Sequence, residues 1–269
     1  MPTLAGVLGH PVSHSRSPAI HNAAFAELGL DWRYVRLPVP PGLLAETVRA
    51  LGGSGYRGAN VTIPHKEAAL AAADEATPAA AAIGAANTLT FEADGRIRAD
   101  NTDAGGLLDA LGDPPSGLRC LVLGAGGAGR AAAFALREAG AAQVSVWNRT
   151  PERAERLAAE LGVTHAAVPG PADLVVNATS VGLDPALGEA EALEAVGLAG
   201  MEPPERFADL VYGERPTPLQ AWAARGGAHV VDGLEVLVRQ GARSFEIWTG
   251  RPAPLDVMRA AARQPPDRA

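Results

Sequence analysis

The sequence predicts an α/β protein in two parts, an open and mostly parallel α/β half followed by a doubly wound α/β half. Short apolar runs alternate with Ala- and Leu-rich stretches of helical period along most of the chain, the pattern of βαβ units. Between the two series lies GDPPSG (112–117), the strongest linker signal in the chain. Directly after it, RCLVLGAGGAGRAAAFALREAG (119–140) runs strand, glycine loop and helix without a gap.

Each element follows from local signals. TLAGVLG (3–9) is a first strand. SPAIHNAAFAELG (17–29) is a helix with Ser17 as N-cap, Pro18 at its first position and Gly29 closing it, and the strand WRYVRL (32–37) comes next. A helix is expected over 41–51, and GANVTIP (58–64) is a strand ending at Pro64. Two Ala-rich helical pieces lead into NTLTFEADGRIRADN (87–101), where Asp94-Gly95 between alternating segments marks a β-hairpin. A helix over 103–111 ends in the linker. In the second series QVSVWN, ADLVVNAT, FADLVY and AHVVDG are strands, and after Gly233 the pattern is helical through LEVLVRQGARSFEIW and PLDVMRAAAR, with a polar tail, QPPDRA, expected to fray.

Composition narrows the function. The 269 residues are 47% hydrophobic and 20% charged, enough apolar surface for one large or two ordinary cores. A net charge of -7 argues against nucleic acid or an anionic membrane as partner, since either needs a basic face. No run approaches the roughly 20 apolar residues that span a bilayer, and the N-terminal MPTLAGVLGHP lacks the build of a signal peptide, so a cytoplasmic protein is expected. The single cysteine, Cys120, excludes an intrachain disulfide and a Cys-rich zinc site. His10 and His14 have helical spacing, but Pro11 interrupts it and no carboxylates accompany them, so no metal is expected.

Of the 23 basic residues only one, Lys66, is a lysine. Asparagine occurs six times, always in a compact polar cluster: Asn22, Asn60, Asn87, Asn101, Asn148 and Asn177. In a chain so depleted of both types, their positions carry information. The plain alternative, that Asn marks turns, does not explain why all six sit beside other polar residues.

Gly124-Ala125-Gly126-Gly127-Ala128-Gly129 fits GxGxxG between an apolar strand and a helix, where glycines permit a tight turn and close approach of a pyrophosphate to the helix N-terminus. The following strand ends in Asn148-Arg149-Thr150 rather than in an acid. Without a carboxylate to repel a 2'-phosphate, and with a guanidinium and a hydroxyl to hold one, the sequence selects NADP over NAD. A solvated surface arginine is the alternative for Arg149.

Five clusters lie outside that loop. Ser15 and Ser17 stand one residue apart at a helix start that suits a carboxylate, although Ser17 alone would do as an N-cap. Thr62 and Lys66 fall where a strand gives way to a helix expected to begin at Pro64, at the carboxyl edge of the sheet. Asn87 and Asn101-Thr102-Asp103 flank the hairpin with groups suited to hydroxyls, and Gln240 lies on the helix after the second series.

GHPVSHSRSPAIHN, GANVTIPHKEAA, GAANTL, DNTDAGGL, GAGGAGRA, NRT, NATSVGL and DGLEVLVRQGARSFEIW occur in this order over nearly the whole chain, and together they resemble the shikimate dehydrogenase family. The resemblance implies NADPH-dependent interconversion of 3-dehydroshikimate and shikimate by a monomer or homodimer. It implies a substrate-binding domain of residues 1–102 with 234–269 and a Rossmann-type NADP-binding domain of residues 103–233. It places the substrate carboxylate on Ser15 and Ser17 with Tyr212 nearby, and the ring hydroxyls on Thr62, Lys66, Asn87, Asp103 and Gln240. It places NADP on the glycine loop, Asn148, Arg149, Thr150, Leu210 and Gly233. Leu210 stands where a Met is common, and Pro78 where some members carry an acid credited with a cofactor contact.

Hydride transfer at a secondary alcohol needs a group for the hydroxyl proton, and Lys66 is the candidate, with Asp103 orienting it. A positive helix end would disfavour its ammonium and a neighbouring Asp103 would favour it. His14 and His65 compete for the same role, although a histidine beside a helix start is more often a structural hydrogen bonder. Two other functions remain on the same sequence: a dual quinate/shikimate enzyme accepting NAD, which an acid after the second cofactor strand would mark, and a non-catalytic NADP-binding sensor, which loss of Lys66 or Asp103 would mark.

Overall fold

The computed structural model describes residues 1–264, so residues 265–269 of the expected tail lie outside the described residues. The described chain forms two compact units, one of residues 1–106 completed by residues 237–264, the other of residues 107–236.

The first unit contains β1 (Thr3–Gly9), α1 (Ser17–Glu27), β2 (Trp32–Pro38), α2 (Leu44–Gly52), β3 (Tyr56–Val61), α3 (Lys66–Ala72), β4 (Glu75–Ala76), α4 (Pro78–Ile83), β5 (Thr88–Phe91) and β6 (Ile97–Asp100). Its sheet runs β2-β1-β3-β5-β6-β4. β1 pairs in parallel with β2 and β3, while the β5/β6 hairpin enters antiparallel to β3. Leu8, Ala59, Val61, Leu89 and Ala99 from these strands pack with Val48 and Leu51 of α2.

Three boundaries differ from the sequence expectation. α1 starts with Arg16 at its N-cap and Ser17 already helical, because the first helical bond runs from the Ile20 N–H to the Arg16 carbonyl (3.2 Å), and the Ser17 N–H is taken up by the Ser15 hydroxyl (3.3 Å). α2 begins at Leu44 rather than 41, since Gly42 holds a left-handed φ of 91° that a helix cannot include. β3 ends at Val61 and α3 starts at Lys66, leaving Thr62 to His65 as a turn closed by the His65 N–H on the Thr62 carbonyl (3.0 Å).

α5 (Thr102–Leu111) leads onward, and the second unit is built from β7 (Arg119–Leu123), α6 (Gly127–Glu138), β8 (Gln143–Trp147), α7 (Pro151–Leu161), β9 (Thr164–His165), β10 (Leu174–Asn177), α8 (Glu189–Ala195), β11 (Arg206–Asp209), α9 (Pro218–Arg225) and β12 (His229–Val231). The strands are all parallel in the order β12-β11-β10-β7-β8-β9, the doubly wound arrangement. Both faces of the sheet are buried. Val122, Val146 and Val176 pack under Leu136 of α6 and Leu157 of α7, and the alternate residues Leu121, Leu123 and Val175 pack under Val196, Leu219 and Trp222. GDPPSG lies inside this unit, pinned by the Arg206 guanidinium on the Asp113 carbonyl (2.8 Å) and by the Gly117 N–H on the Gly140 carbonyl (2.9 Å). The units part within α5 and within α10 (Gly233–Thr249), after which α11 (Leu255–Ala262) packs on α1. Among the described residues no helix is long and apolar enough to cross a membrane.

His21 of α1 lies fully buried in the first unit, stacked on Tyr34 (ring centroids 4.3 Å, planes 1° apart) beside Phe25, Phe245 and Trp248. Among the described residues neither ring nitrogen has a hydrogen-bond partner. Burial pushes its pKa down from 6.5 to about 3, opposed weakly by the Asn60 amide from outside hydrogen-bonding geometry. The folded protein therefore keeps His21 neutral while the unfolded chain takes up a proton below pH 6.5, so stability is fully present above that value and lost as pH falls towards 3. His21→Phe should remove up to about 1.4 kcal/mol per pH unit of this slope. Urea unfolding of wild type and variant at several pH values between 7 and 4 checks it; parallel curves would refute it.

Candidate functional site

At the carboxyl ends of β1, β3 and β6 and the amino end of β5 the first unit gathers a polar network. Lys66, the first residue of α3, donates from Nζ to Asp103 Oδ2 at 2.6 Å, with both side chains mostly buried. Asp103 sits in the first turn of α5, whose start is fixed by Asn101: its Oδ1 accepts from the N–H groups of Asp103 (3.1 Å) and Ala104 (3.3 Å). The Asn101 Nδ2 donates to the Ala85 carbonyl (2.8 Å), tying the helix start to the segment before β5.

Asn87 is held more tightly still. Its Oδ1 accepts from the Thr102 N–H (2.7 Å), the Thr88 hydroxyl (3.1 Å) and the Thr102 hydroxyl (3.2 Å). With the carbonyl side saturated, the amide protons face Asp103 Oδ1 (2.8 Å), Thr102 Oγ1 (3.0 Å) and Gln240 Oε1 (3.1 Å). Both oxygens of Asp103 are thus engaged, one by Lys66 and one by Asn87. Gln240 reaches this point because α5 carries glycines where α10 crosses it: a Cβ on Gly106 would stand 2.6 Å from the Gln240 backbone nitrogen. Asn60, behind the network, accepts from the Tyr34 hydroxyl (2.8 Å) and donates to the Asn87 carbonyl and Thr88 Oγ1 (both 3.2 Å).

The structure thus brings Lys66, Asn87, Asp103 and Gln240 into direct contact. Thr62 lies four residues before Lys66, half-buried, its N–H on the Leu8 carbonyl (2.9 Å). Ser15 and Ser17 are buried at the start of α1, and Arg36 of β2 pins the Ser15 carbonyl with Nε (3.1 Å) and Nη2 (2.8 Å). His65 is committed elsewhere, its Nε2 2.7 Å from the Val39 carbonyl, and His14 is exposed. Among the described residues no group of three or more His, Cys, Asp or Glu side chains is placed to hold a metal. Pro78 opens α4, capped by Thr77. Thr88, Tyr34 and Arg36 were not singled out from sequence; they lie inside strands, and strand periodicity does not reveal which polar side chain faces a distant partner.

In the second unit the glycine loop joins β7 to α6. Gly124 has φ 107° and lies so near β10 that a Cβ would stand 2.8 Å from the Ala178 carbonyl oxygen. A Cβ on Gly129 would overlap the Gly124 carbonyl oxygen, so α6 can seat against β7 only with glycine there. Gly126 caps α6 and faces open space, leaving the first helical N–H groups approachable by a phosphate. Ala125, Gly127 and Ala128 complete the loop and the first turn of that helix. Asn148, just past β8, clamps the loop, accepting from the Ala125 N–H (3.2 Å) and donating to the Thr150 carbonyl (2.9 Å).

Arg149 is exposed with no protein partner among the described residues, and Thr150 stands at the N-cap of α7 without using its hydroxyl as a cap. These features fit a dinucleotide whose ribose carries a phosphate. Leu210 directly follows β11, and its N–H donates to the Asn177 carbonyl (2.9 Å). Tyr212 is half-buried two residues later, and a Cβ on Gly233 would overlap the Val211 carbonyl oxygen.

Comparison with known proteins agrees with both halves. Residues 7–89 match the model of the shikimate dehydrogenase substrate binding domain, 111–179 that of shikimate/quinate 5-dehydrogenase, and 233–263 that of the shikimate 5'-dehydrogenase C-terminal domain. The shikimate dehydrogenase (NADP(+)) of Methanothermobacter thermautotrophicus is 44% identical, the alignment covering 97% of this chain and 96% of that protein. That of Paracoccus denitrificans is 46% identical, covering 96% and 95%. A crystal structure of shikimate 5-dehydrogenase from Thermus thermophilus in complex with NADP(H) and shikimate superposes with a TM-score of 0.84 at 43% identity, covering 98% of this chain and 99% of that one. With family models, relatives and a solved structure in accord over nearly its whole length, the chain belongs to the shikimate dehydrogenase family.

Proposed function

We propose that this protein reduces 3-dehydroshikimate to shikimate with NADPH, and runs the reverse oxidation with NADP+, using Lys66 as the proton-handling group. The observation that carries the reading is the Lys66–Asp103–Asn87 chain, in which the only lysine in the sequence meets a carboxylate whose second oxygen is already held. The buried Ser15 and Ser17 hydroxyls at the start of α1 suit the substrate carboxylate, to which the family resemblance also assigns Tyr212, while Thr62, Lys66, Asn87, Asp103 and Gln240 suit ring hydroxyls. The glycine loop and α6 would take the pyrophosphate, Asn148 the adenosine ribose side, Arg149 and Thr150 the 2'-phosphate, and Leu210 and Gly233 the nicotinamide end. Bound NADPH supplies the hydride that reduces the carbonyl carbon.

The chain's own residues manage the proton. As the carbonyl becomes an alkoxide, the Lys66 ammonium donates one proton to that oxygen and is left as the neutral amine, which recovers a proton from water. Asp103 keeps its contact with Nζ throughout, and being acceptor-only as a carboxylate it orients the amine without giving up a proton. In the oxidation the same amine takes the hydroxyl proton. No acid follows β8 to favour NAD, and Lys66 and Asp103 are in contact as a catalyst needs, so neither the dual-specificity nor the sensor alternative is favoured. A reducing cytoplasm suits Cys120, which is buried and free, its thiol pushed up to about 11 by burial.

Apart from the N-terminus, Lys66 carries the only primary amine in the sequence. Amine-selective acylation should abolish activity in proportion to label that mass analysis places on Lys66, and shikimate should protect. Full activity in protein labelled at Lys66 would remove it from the mechanism.

Cofactor choice is tested by Arg149→Ala. Loss of a charged hydrogen bond of about 1.5–3 kcal/mol should raise KM for NADP by roughly ten- to more than a hundredfold and leave KM for NAD nearly unchanged. Equal losses for both cofactors would show that Arg149 supports the fold.

A further inference from the structure

Asp209, the last residue of β11, is fully buried and belongs to none of the groups assigned above. Its Oδ1 accepts from Asn177 Nδ2 (2.8 Å) and from the Val211 N–H (3.0 Å), and its Oδ2 accepts from the Thr217 hydroxyl (2.5 Å). None of these donors is a cation. Burial pushes its pKa up to about 6 despite all three hydrogen bonds, so the site holds a carboxylate at a cost that an apolar side chain would avoid. A polar group kept under such a penalty is explained by the geometry it imposes.

Its partners show what that geometry is. Asn177 ends β10, and beyond its bond to Asp209 it folds the following loop around itself, donating to the Val181 carbonyl (3.1 Å) and accepting from the Thr179 N–H (3.1 Å) and hydroxyl (2.7 Å). Ala178 in that loop is the residue packed against Gly124. Thr217 caps α9 in a reciprocal capping box with Gln220. Gly233 packs against the Val211 and Asp209 carbonyls. One carboxylate thereby ties together the segments after β10 and β11 and the start of α9, and the backbone beside it meets the start of α10, all on the carboxyl edge of the sheet.

We propose that Asp209 is a positioning residue for the NADP site, fixing the 178–181 and 210–217 segments so that the glycine loop and the Leu210 and Gly233 backbone are set before cofactor binds. The proposal rests on the assignment of the glycine loop to NADP, and it extends that assignment to a residue touching neither cofactor nor substrate. It distinguishes a network that shapes one binding edge from one that merely holds the unit together.

The test uses the full chain with Asp209→Asn, Thr217→Val and Thr217→Ser, each checked for cooperative unfolding. NADPH binding is read by its own fluorescence, and shikimate binding by calorimetry without cofactor. Asp209→Asn and Thr217→Val should each weaken NADPH at least tenfold and lower kcat, with shikimate weakened severalfold less, through Tyr212 alone, and Thr217→Ser restoring NADPH affinity. Should Asp209→Asn fail to fold, the two Thr217 variants carry the test. NADPH affinity within twofold of wild type in the folded variants, or equal weakening of shikimate, overturns the proposal. Arg149→Ala, measured alongside, separates the two readings: if it alone weakens NADPH the proposal falls and the glycine-loop assignment stands, and if neither does both fall.

Discussion

Polar groups taken out of water must find partners inside the protein, and around its strands this chain meets that demand with asparagine amides. The Asn87 amide is the clearest instance. Three donors saturate its oxygen, so its nitrogen can only donate towards Asp103, Thr102 and Gln240. That single orientation decides how Asp103 faces Lys66, because it occupies one carboxylate oxygen and leaves the other for Nζ. The placement of the dyad is therefore a consequence of satisfying one buried side chain.

The same logic accounts for every asparagine in the sequence. Asn22 brackets the Tyr34 backbone, Asn60 joins Tyr34 to β5, Asn101 starts α5, Asn148 holds the glycine loop and Asn177 folds the segment after β10. In each case the carbonyl oxygen accepts and the amide nitrogen donates to a different group. Aspartate or glutamate could only accept, and leucine neither, so none of them could replace the amide. A chain with so little asparagine keeps it where one side chain must face two ways.

The two units use close approach in the same manner. Gly106 admits α10 against α5 and brings Gln240 to the polar network, while Gly129 admits α6 against β7. In both places absence of a Cβ sets the distance between two elements, and the functional groups follow from that distance.

The fold class, the glycine loop and the lack of an acid after β8 could be read directly, because strand and helix periods, a strand-loop-helix run and a strand's last residues are local in sequence. So could the list of polar clusters, from the scarcity of Lys and Asn. What sequence could not assign was division of labour among neighbours. His65 and Lys66 are adjacent, yet one is spent on the Val39 carbonyl and the other meets Asp103. The start of α3 at Lys66 rather than Pro64, and the start of α1 before Ser17 could cap it, depend on turns closed by hydrogen bonds that no propensity anticipates. Asp209 reads as one more polar residue at a strand end until Asn177 and Thr217 close on it. The contact between Asn87 and Gln240 joins residues 153 positions apart, and only packing of α5 on α10 creates it. The sequence determined which groups are available and which elements carry them; the tertiary structure decided which of them meet, because a hydrogen bond is specified by distance and angle between atoms and not by separation along the chain.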